Sequence, residues 1–220
     1  MIAIASHSPK ISTQSKPAEQ RVIFRDLNWH NYQQILQALG NKRSSRLTYD
    51  QGTLEITMPL EEHEQATRLI ELFIRILVVE LGLKIKTMGS TRLERPDLKK
   101  SAEPDNGFYI QNQSKVAGKT VDMSQDPPPD LVVEVDITHT DIDKLHFYAS
   151  LGVPEFWRYN GQILKIYQLQ NAAYLEVEIS PTFSLAIKER LYEFLQDCYL
   201  DEVLGENAFR AWVREQKQNH

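Results

Sequence analysis

Apolar residues recur at helical spacing over residues 60 to 83, and they predict a long helix there. Positions three and four apart share one face of a helix, so this face is expected to pack inward. The apolar residues at this spacing are Ala66, Leu69, Ile70, Phe73, Ile76, Leu77 and Leu81. Three glutamates, Glu61, Glu62 and Glu64, suit the positive end of the helix dipole.

Glu62 has two interpretations. It lies four residues before Ala66, so its side chain is expected on the inward face or at its margin. Its charge also complements the helix dipole, an explanation that needs no functional role. The helix pattern alone leaves both open.

Shorter patterns predict further elements on both sides of this helix. Upstream, residues 28 to 40 have the spacing of a short amphipathic helix that stops at Gly40, and residues 46 to 58 form a β-hairpin around Gly52. Downstream, strands are expected at residues 84 to 95, 106 to 111, 130 to 137, 155 to 169 as a hairpin, and 173 to 179. A polar loop is expected between residues 113 and 129.

Two helical segments complete the pattern. One runs from Thr140 or Asp141 to Gly152, where Thr140 and Asp143 have the spacing of a capping box. The other covers residues 186 to 218, with a break near Gly205.

The order of these elements predicts an α/β fold. Helices lie on either side of a mixed central β-sheet, with a helix and hairpin before it and a helical extension after it. Residues 21–220 are expected to form a single domain. Residues 1–20 are rich in Ser, Gln, Lys and Pro and suit a flexible tail.

Composition narrows the class of protein. Apolar residues make up 41% of the chain, and no apolar run approaches the ~20 residues that span a bilayer. The N-terminus lacks the apolar segment of a secretory signal, so a cytoplasmic protein that does not act in a membrane is expected. The one cysteine, Cys198, excludes an internal disulfide and lies in an apolar helical pattern typical of a core residue.

Charge is unevenly distributed. The net charge of −5 argues against a generally basic nucleic-acid binder. Residues 84 to 100 nevertheless hold six basic residues against two acidic ones, a local charge of +4. The basic residues are Lys84, Lys86, Arg92, Arg95, Lys99 and Lys100. This segment is either a solvated strand edge or a rim that faces phosphates.

The strand at residues 130 to 137 carries acids within an apolar run. Alternation places Asp130, Glu134 and Asp136 on one face, opposite the core face. Unpaired carboxylates are costly to bury, whereas several that converge on a divalent cation are not.

Asp105 offers a second carboxylate at the start of the preceding strand, directly after Pro104. Together, Asp105 and Glu134 would supply two oxygen ligands to Mg²⁺, which takes one or two protein carboxylates and completes its shell with water and phosphate. Lys144 follows in the first turn of the next helix, where it would orient a water molecule and offset charge on a phosphoryl group. The alternative is a surface lysine in a capping turn.

Three stretches carry a resemblance to a known family. "EPD" at 103–105, "PDLVVEV" at 129–135 and "DKLHFYASLGVPEFWRY" at 143–159 resemble the Uma-two family of endonucleases, within the PD-(D/E)XK or restriction-endonuclease-like superfamily. The likeness runs from about Trp29 to the final helix. It implies a restriction-endonuclease-like core and a Mg²⁺-dependent endonuclease, with Mn²⁺ as a substitute, that cuts DNA as a homodimer.

The resemblance also assigns roles by position. Asp105 matches the metal-binding aspartate, Glu134 the strand acid, and Glu62 a further acid from the first helix. The superfamily's usual lysine position holds Asp136 here, so Lys144 would be the displaced lysine. The expected metal ligands are therefore Asp105, Glu134 and the carbonyl of Val135.

Alternatives remain at several positions. Asp130 is a second candidate for the motif aspartate, but it shares a strand with Glu134, whereas the motif needs two strands. His63 and His139 are expected to be polar neighbours of the site rather than ligands. Where the family often carries Ser-Pro-Ser, this chain has "ITHT" at residues 137–140.

Two other functions fit the same residues. One is a non-catalytic restriction-endonuclease-like module that binds nucleic acid or a protein partner. The other is an enzyme that acts on RNA or nucleotides.

Overall fold

The computed structural model describes residues 19–40, 42–138 and 140–218. The expected tail, as far as residue 18, and His139 lie outside these ranges. The described strands are β1 (Glu19–Phe24), β2 (Arg46–Asp50), β3 (Thr53–Pro59), β4 (Lys86–Thr87), β5 (Leu93–Arg95), β6 (Lys100–Ala102), β7 (Asn106–Tyr109), β8 (Leu131–Val135), β9 (Glu155–Tyr159), β10 (Leu164–Gln170) and β11 (Ala173–Val177). The described helices are α1 (Trp29–Leu39), α2 (Glu61–Leu81), α3 (Gln113–Val116), α4 (Lys144–Ser150), α5 (Lys188–Leu200) and α6 (Glu202–Gln218).

The strands form two sheets. The first has five strands in the order β1-β3-β2-β6-β5, paired antiparallel. The second has six strands in the order β11-β10-β9-β8-β7-β4 and is mixed, because β8 and β9 run parallel and α4 forms the crossover between them. The predicted mixed sheet is therefore present, and the five-stranded sheet extends the predicted hairpin.

Helix α2 packs its apolar face against the six-stranded sheet and helices α5 and α6. Phe73 lies at the centre of this core, stacked on Phe209 at a ring-centroid distance of 4.4 Å and tilted against Trp157 at 6.5 Å. Cys198 is buried in the same core. The predicted helix and the predicted place of the cysteine are both confirmed.

Strand β8 is buried on both faces. Leu131, Val133 and Val135 join the core of α2, as alternation predicts. Val132 lies on the other face and packs with Phe147 and Tyr148 of α4 in a second core. The acids of β8 are therefore placed at the edges of a packed layer rather than on an open surface.

The start of α4 differs from the prediction. The helix begins at Lys144, and its N-cap is Asp143, whose side chain accepts a hydrogen bond from the N–H of His146 at 3.1 Å. Thr140 forms no capping box because its hydroxyl is bonded to Glu55 of β3, at 2.8 Å to one carboxylate oxygen. The carboxylate of Glu55, distant in sequence, thus binds the Thr140 hydroxyl that the capping box would have used.

The terminal helices break at Asp201 rather than at Gly205. The Asp201 carboxylate caps α6 by accepting hydrogen bonds from Val203 at 2.9 Å and Leu204 at 3.1 Å. Gly205 lies inside α6, where an added Cβ would come within 2.6 Å of the Cys198 sulfur. Its role is therefore close packing between the two helices.

The predicted strand at residues 84 to 95 is divided between the two sheets. Strand β4 joins the six-stranded sheet and β5 the five-stranded one, and a turn at Gly89, with φ of 54°, separates them. Strand β1 begins at Glu19, two residues before the expected start of the domain, and α3 interrupts the predicted polar loop. Within the described ranges, none of the helices combines the length and apolar composition that a membrane span requires.

Candidate active site

A small cavity lies where the end of β8 meets the five-stranded sheet, and we call it the charged cavity. Its volume is about 20 Å³, roughly enough for one water molecule. Its charged lining comprises Glu19, Arg21, Arg46, Glu103, Asp105, Glu134, Asp136 and Lys144, joined by His63 and Val135. The residues of the lining come from segments between β1 and the start of α4.

Asp105 lies in the charged cavity just before β7 and is 5% exposed. One carboxylate oxygen is paired with Arg46 of β2. The other accepts a hydrogen bond from the backbone N–H of Val135 at 2.6 Å and lies 3.3 Å from His63 Nε2. Asp105 is therefore fixed beside the last residue of β8.

Glu134 reaches the same cavity from the neighbouring strand and is 4% exposed. Its Oε1 accepts hydrogen bonds from Lys144 Nζ at 2.7 Å and from the Tyr148 hydroxyl. Burial raises the pKa of Glu134 above its ordinary value of 4.5, against the lowering effect of Lys144 and with a further rise from Asp136. A positive charge beside this carboxylate would therefore stabilise its ionised form.

Lys144 is the first residue of α4, and its side chain turns back to the end of β8. Burial disfavours its charged form, but Glu134 and Asp136 outweigh this effect, so the pKa of Lys144 is raised above 10.5. The lysine is therefore a cation and a hydrogen-bond donor at neutral pH.

Ion pairs with two arginines account for the presence of Asp136 at this position. Its carboxylate lies 3.0 Å from Arg158 Nε and 3.6 Å from Arg21 Nη2. Arg21 also pairs with Glu55 and, at 3.0 Å, with Glu19. The aspartate in the usual lysine position is thus part of an ion-pair network in which Arg21 pairs with three acids.

The structure corrects the expected position of Glu62. This residue is exposed and does not line the charged cavity. The inward face at the first turn of α2 contains His63 instead, because His63 lies three residues before Ala66 and four before Thr67, both buried. Extending the buried face by Thr67 as well as Ala66 would have identified His63.

His63 is 1% exposed and is predominantly neutral. Burial, followed by the positive charge of Arg46, lowers its pKa below 6.5. Its Nδ1 has no hydrogen-bond partner among the residues that the structure describes. Its Nε2 therefore faces Asp105 as a polar neighbour rather than as one half of an ion pair.

Arg46 is a member of the site that sequence reasoning missed. It joins Asp105 to Glu64 of α2, at 2.8 Å from the latter. It lies on β2, 59 residues before Asp105. The antiparallel pairing of β2 with β6, which continues to a hydrogen bond between Glu103 N and the carbonyl of Leu47, brings the two together, so no local pattern indicates the contact.

Asp130, the alternative motif aspartate, lies outside the charged cavity. It is 3% exposed, and one of its oxygens accepts hydrogen bonds from the N–H groups of Ile110 at 2.7 Å and Asn112 at 2.9 Å. The carboxylate therefore fixes the chain between β7 and α3.

The donors of the charged cavity fit Mg²⁺. Five carboxylates against three cations leave a charge of −2, with His63 neutral. Within the described ranges no three His, Cys, Asp or Glu side chains form a metal-binding group. Asp105 and Glu134 with one carbonyl match the smaller ligand set of Mg²⁺, which keeps several waters.

The mixed sheet, its flanking helices and the acids at the end of β8 define a restriction-endonuclease-like α/β protein. The profile of the Uma2 family, described as "Putative restriction endonuclease", matches residues 29–196. The match covers well over half of the chain, so the protein belongs to the Uma2 family, as the sequence resemblance indicated. No curated protein matches the chain.

Proposed function

We propose that this protein is a divalent-metal-dependent endonuclease that hydrolyses phosphodiester bonds in DNA. One observation carries the proposal: Asp105, just before β7, and Glu134, on the neighbouring strand β8, line one small cavity, with Lys144 bonded to Glu134 at 2.7 Å. Membership of the Uma2 family supports the nuclease class.

Asp105, Glu134 and the carbonyl of Val135 would hold Mg²⁺, with Mn²⁺ as a substitute. The charge of −2 in the lining supports a divalent cation there. When bound, such an ion lowers the pKa of water and stabilises negative charge on a phosphoryl group.

The protein's own residues supply position and charge. Lys144 uses one of its three N–H donors on Glu134, so the others are available to orient the attacking water and to offset charge on the phosphoryl oxygens. Arg46 and the N–H of Val135 fix the Asp105 carboxylate in one orientation. A preorganised carboxylate loses little freedom during the reaction.

We also propose that the active form is a homodimer. Cutting both strands of a duplex usually needs two sites, and each chain contributes one charged cavity. Light scattering of the purified protein should therefore give twice the mass of the chain, and the mass of one chain would contradict this part of the proposal.

A non-catalytic module that binds nucleic acid is the second candidate. The observation that favours it is the pairing of Arg46 with Asp105 and of Lys144 with Glu134, because the chain itself then balances both carboxylates. Such a module would bind DNA without cutting it in any metal.

Nicking of supercoiled plasmid in Mg²⁺, Mn²⁺ or EDTA tests the proposal. We expect metal-dependent nicking by the wild type, its loss in Asp105→Asn, and its retention in Asp197→Asn, which changes an exposed aspartate of α5. A wild type that stays inert in both metals, or an active Asp105→Asn variant, would contradict the proposal.

A further inference from the structure

A surface groove leads to Asp105. Its outer lobe has a volume of about 580 Å³ and its inner lobe about 370 Å³, and both are lined by Arg46, Arg68 and Ser90. The inner lobe is also lined by Asp105, which with Arg46 belongs to the charged cavity. The groove therefore connects the protein surface with the candidate active site.

Four arginines from separate segments line the outer lobe: Arg43, Arg46, Arg68 and Arg92. Together we call these two lobes the arginine groove. Among the residues that line the outer lobe, two glutamates, Glu64 and Glu103, stand against the four arginines, which gives the lining a charge of +2. Glu71 and Glu94, which pair with Arg68 and Arg92, lie outside the lining. The charged cavity at the inner end of the groove has the opposite sign, −2.

Arg68 and Arg92 are accessible to a ligand. The Arg68 side chain is 70% exposed and donates to Glu71 at 3.3 Å, while Arg92 is 36% exposed and pairs through Nε with Glu94 at 2.8 Å. Exposed pairs of this kind contribute little stability, and a guanidinium carries five N–H donors. Both arginines can therefore bind an anion with the donors that these pairs leave.

The groove differs from the basic rim that the sequence suggested at residues 84 to 100. Arg92 alone among those six basic residues lines it. Lys86 donates to the carbonyl of Val116 at 2.9 Å, and Lys100 is 2% exposed and lies 2.7 Å from Asp50. The fold thus uses part of the rim for its own structure and assembles the positive surface from distant arginines.

We infer that the arginine groove binds the phosphodiester backbone of a DNA strand that runs along the groove to the charged cavity. Successive phosphates match the two exposed guanidinium groups, Arg68 and Arg92, and the change of sign places the backbone on the positive lobe and a divalent cation at the negative end. The inference rests on the proposed function in one respect, that the DNA strand is cut at the charged cavity. Binding of the strand to the groove does not require catalysis.

Fluorescence anisotropy of a labelled DNA duplex and a labelled single strand in EDTA tests the inference, because no cleavage occurs without metal. The test variant is Arg68→Ala/Arg92→Ala. We expect its affinity for the DNA form that binds the wild type to fall at least about tenfold at 100 mM salt, since each arginine neutralises a phosphate. The slope of log K against log salt should become shallower by about 2.

Arg214→Ala is the matched control. Arg214 is also on a helix, is 63% exposed and pairs with a glutamate, but it lies on α6 and does not line the groove. We expect its affinity and salt slope to equal those of the wild type. Thermal unfolding of each variant checks that the fold is retained.

The results separate this inference from the proposed function. An unchanged affinity and slope in the double variant, or a wild type that binds neither DNA form at low salt, would overturn the inference even if the enzyme cuts DNA. Loss of binding in the double variant alone supports the inference even if the wild type proves inert with metal.

Discussion

Two regions of the six-stranded sheet each bury a glutamate, and they stabilise it in different ways. Glu134 of β8 is bonded to Lys144 and lines the charged cavity. Glu155 of β9 accepts hydrogen bonds from neutral donors, namely Trp157 Nε1 at 2.6 Å, the Ser180 hydroxyl at 2.6 Å and the N–H of Thr182 at 3.0 Å.

Burial raises the pKa of both glutamates. A raised pKa therefore does not by itself distinguish a functional acid from a structural one in this protein. Three features distinguish Glu134. A second acid, Asp105, lies near it, its partner Lys144 has N–H donors that Glu134 does not use, and all three residues line one cavity. Glu155 instead joins β9 to the segment at residues 180–182.

The largest expected difference between the two regions is in activity. Glu134→Gln should lower metal-dependent plasmid nicking by at least about a hundredfold, because it removes a metal-binding carboxylate and the partner of Lys144. Glu155→Gln should keep the rate within about threefold of the wild type, measured at a temperature where both variants are folded. An equal loss in the two variants would remove the distinction.

The Glu134 region should also show strong energetic coupling. Lys144→Met leaves a buried carboxylate without its cation, so we expect the free energy of unfolding to fall by about 3 kcal/mol in urea denaturation. Adding Glu134→Gln should restore part of that loss, because the uncompensated charge is gone. Strictly additive effects in the double variant would show that the pair is not coupled.

Glu155→Gln should lower the free energy of unfolding by about 2 kcal/mol, since a carboxylate with three donors is replaced by an amide with one acceptor oxygen. Chemical denaturation at pH 5 measures this loss. Glu178→Gln is a useful control, because Glu178 is largely exposed and should change stability little. A loss no larger than that of the control would contradict the role of Glu155 in joining β9 to the segment at residues 180–182.

A smaller effect follows from the pH dependence of that stability. The pKa of Glu155 is raised above 4.5 in the folded state, so its contribution is fully present below pH 4.5 and is lost as pH rises through the folded pKa. The stability advantage of the wild type over Glu155→Gln should therefore shrink with rising pH, by at most about 1.4 kcal/mol per pH unit. An advantage that is constant or grows with pH would contradict the raised pKa.

Much of the fold follows from local periodicity. The spacing of three and four in α2 and the alternation in β8 predict which residues enter the main core, since each depends on neighbours along the chain. The start of α4 could not be predicted in this way, because Glu55, on a distant strand, bonds the hydroxyl of Thr140.

The residues of the candidate site also fall into two groups, those that local sequence predicts and those that depend on contacts distant in sequence. Asp105, Glu134 and Lys144 are predictable from residue type, position on an element and family resemblance, and they line one cavity. Arg21 and Arg46 are not, because Arg21 meets Asp136 only when the two sheets pack, and Arg46 meets Asp105 only when β2 pairs with β6. The inward position in the first turn of α2 is predicted at Glu62 but is occupied by His63, the next residue. At a helix end, a small change in the assumed buried face therefore changes which residue points inward.

The most direct test of the central claim is an anomalous difference map from crystals soaked in Mn²⁺. We predict a peak between Asp105 and Glu134, within coordination distance of a carboxylate oxygen of each and beside the carbonyl of Val135, and its absence from Glu134→Gln crystals. Wild-type crystals with no peak in the charged cavity, or with manganese bound only elsewhere, would contradict the claim that these two acids form a metal site.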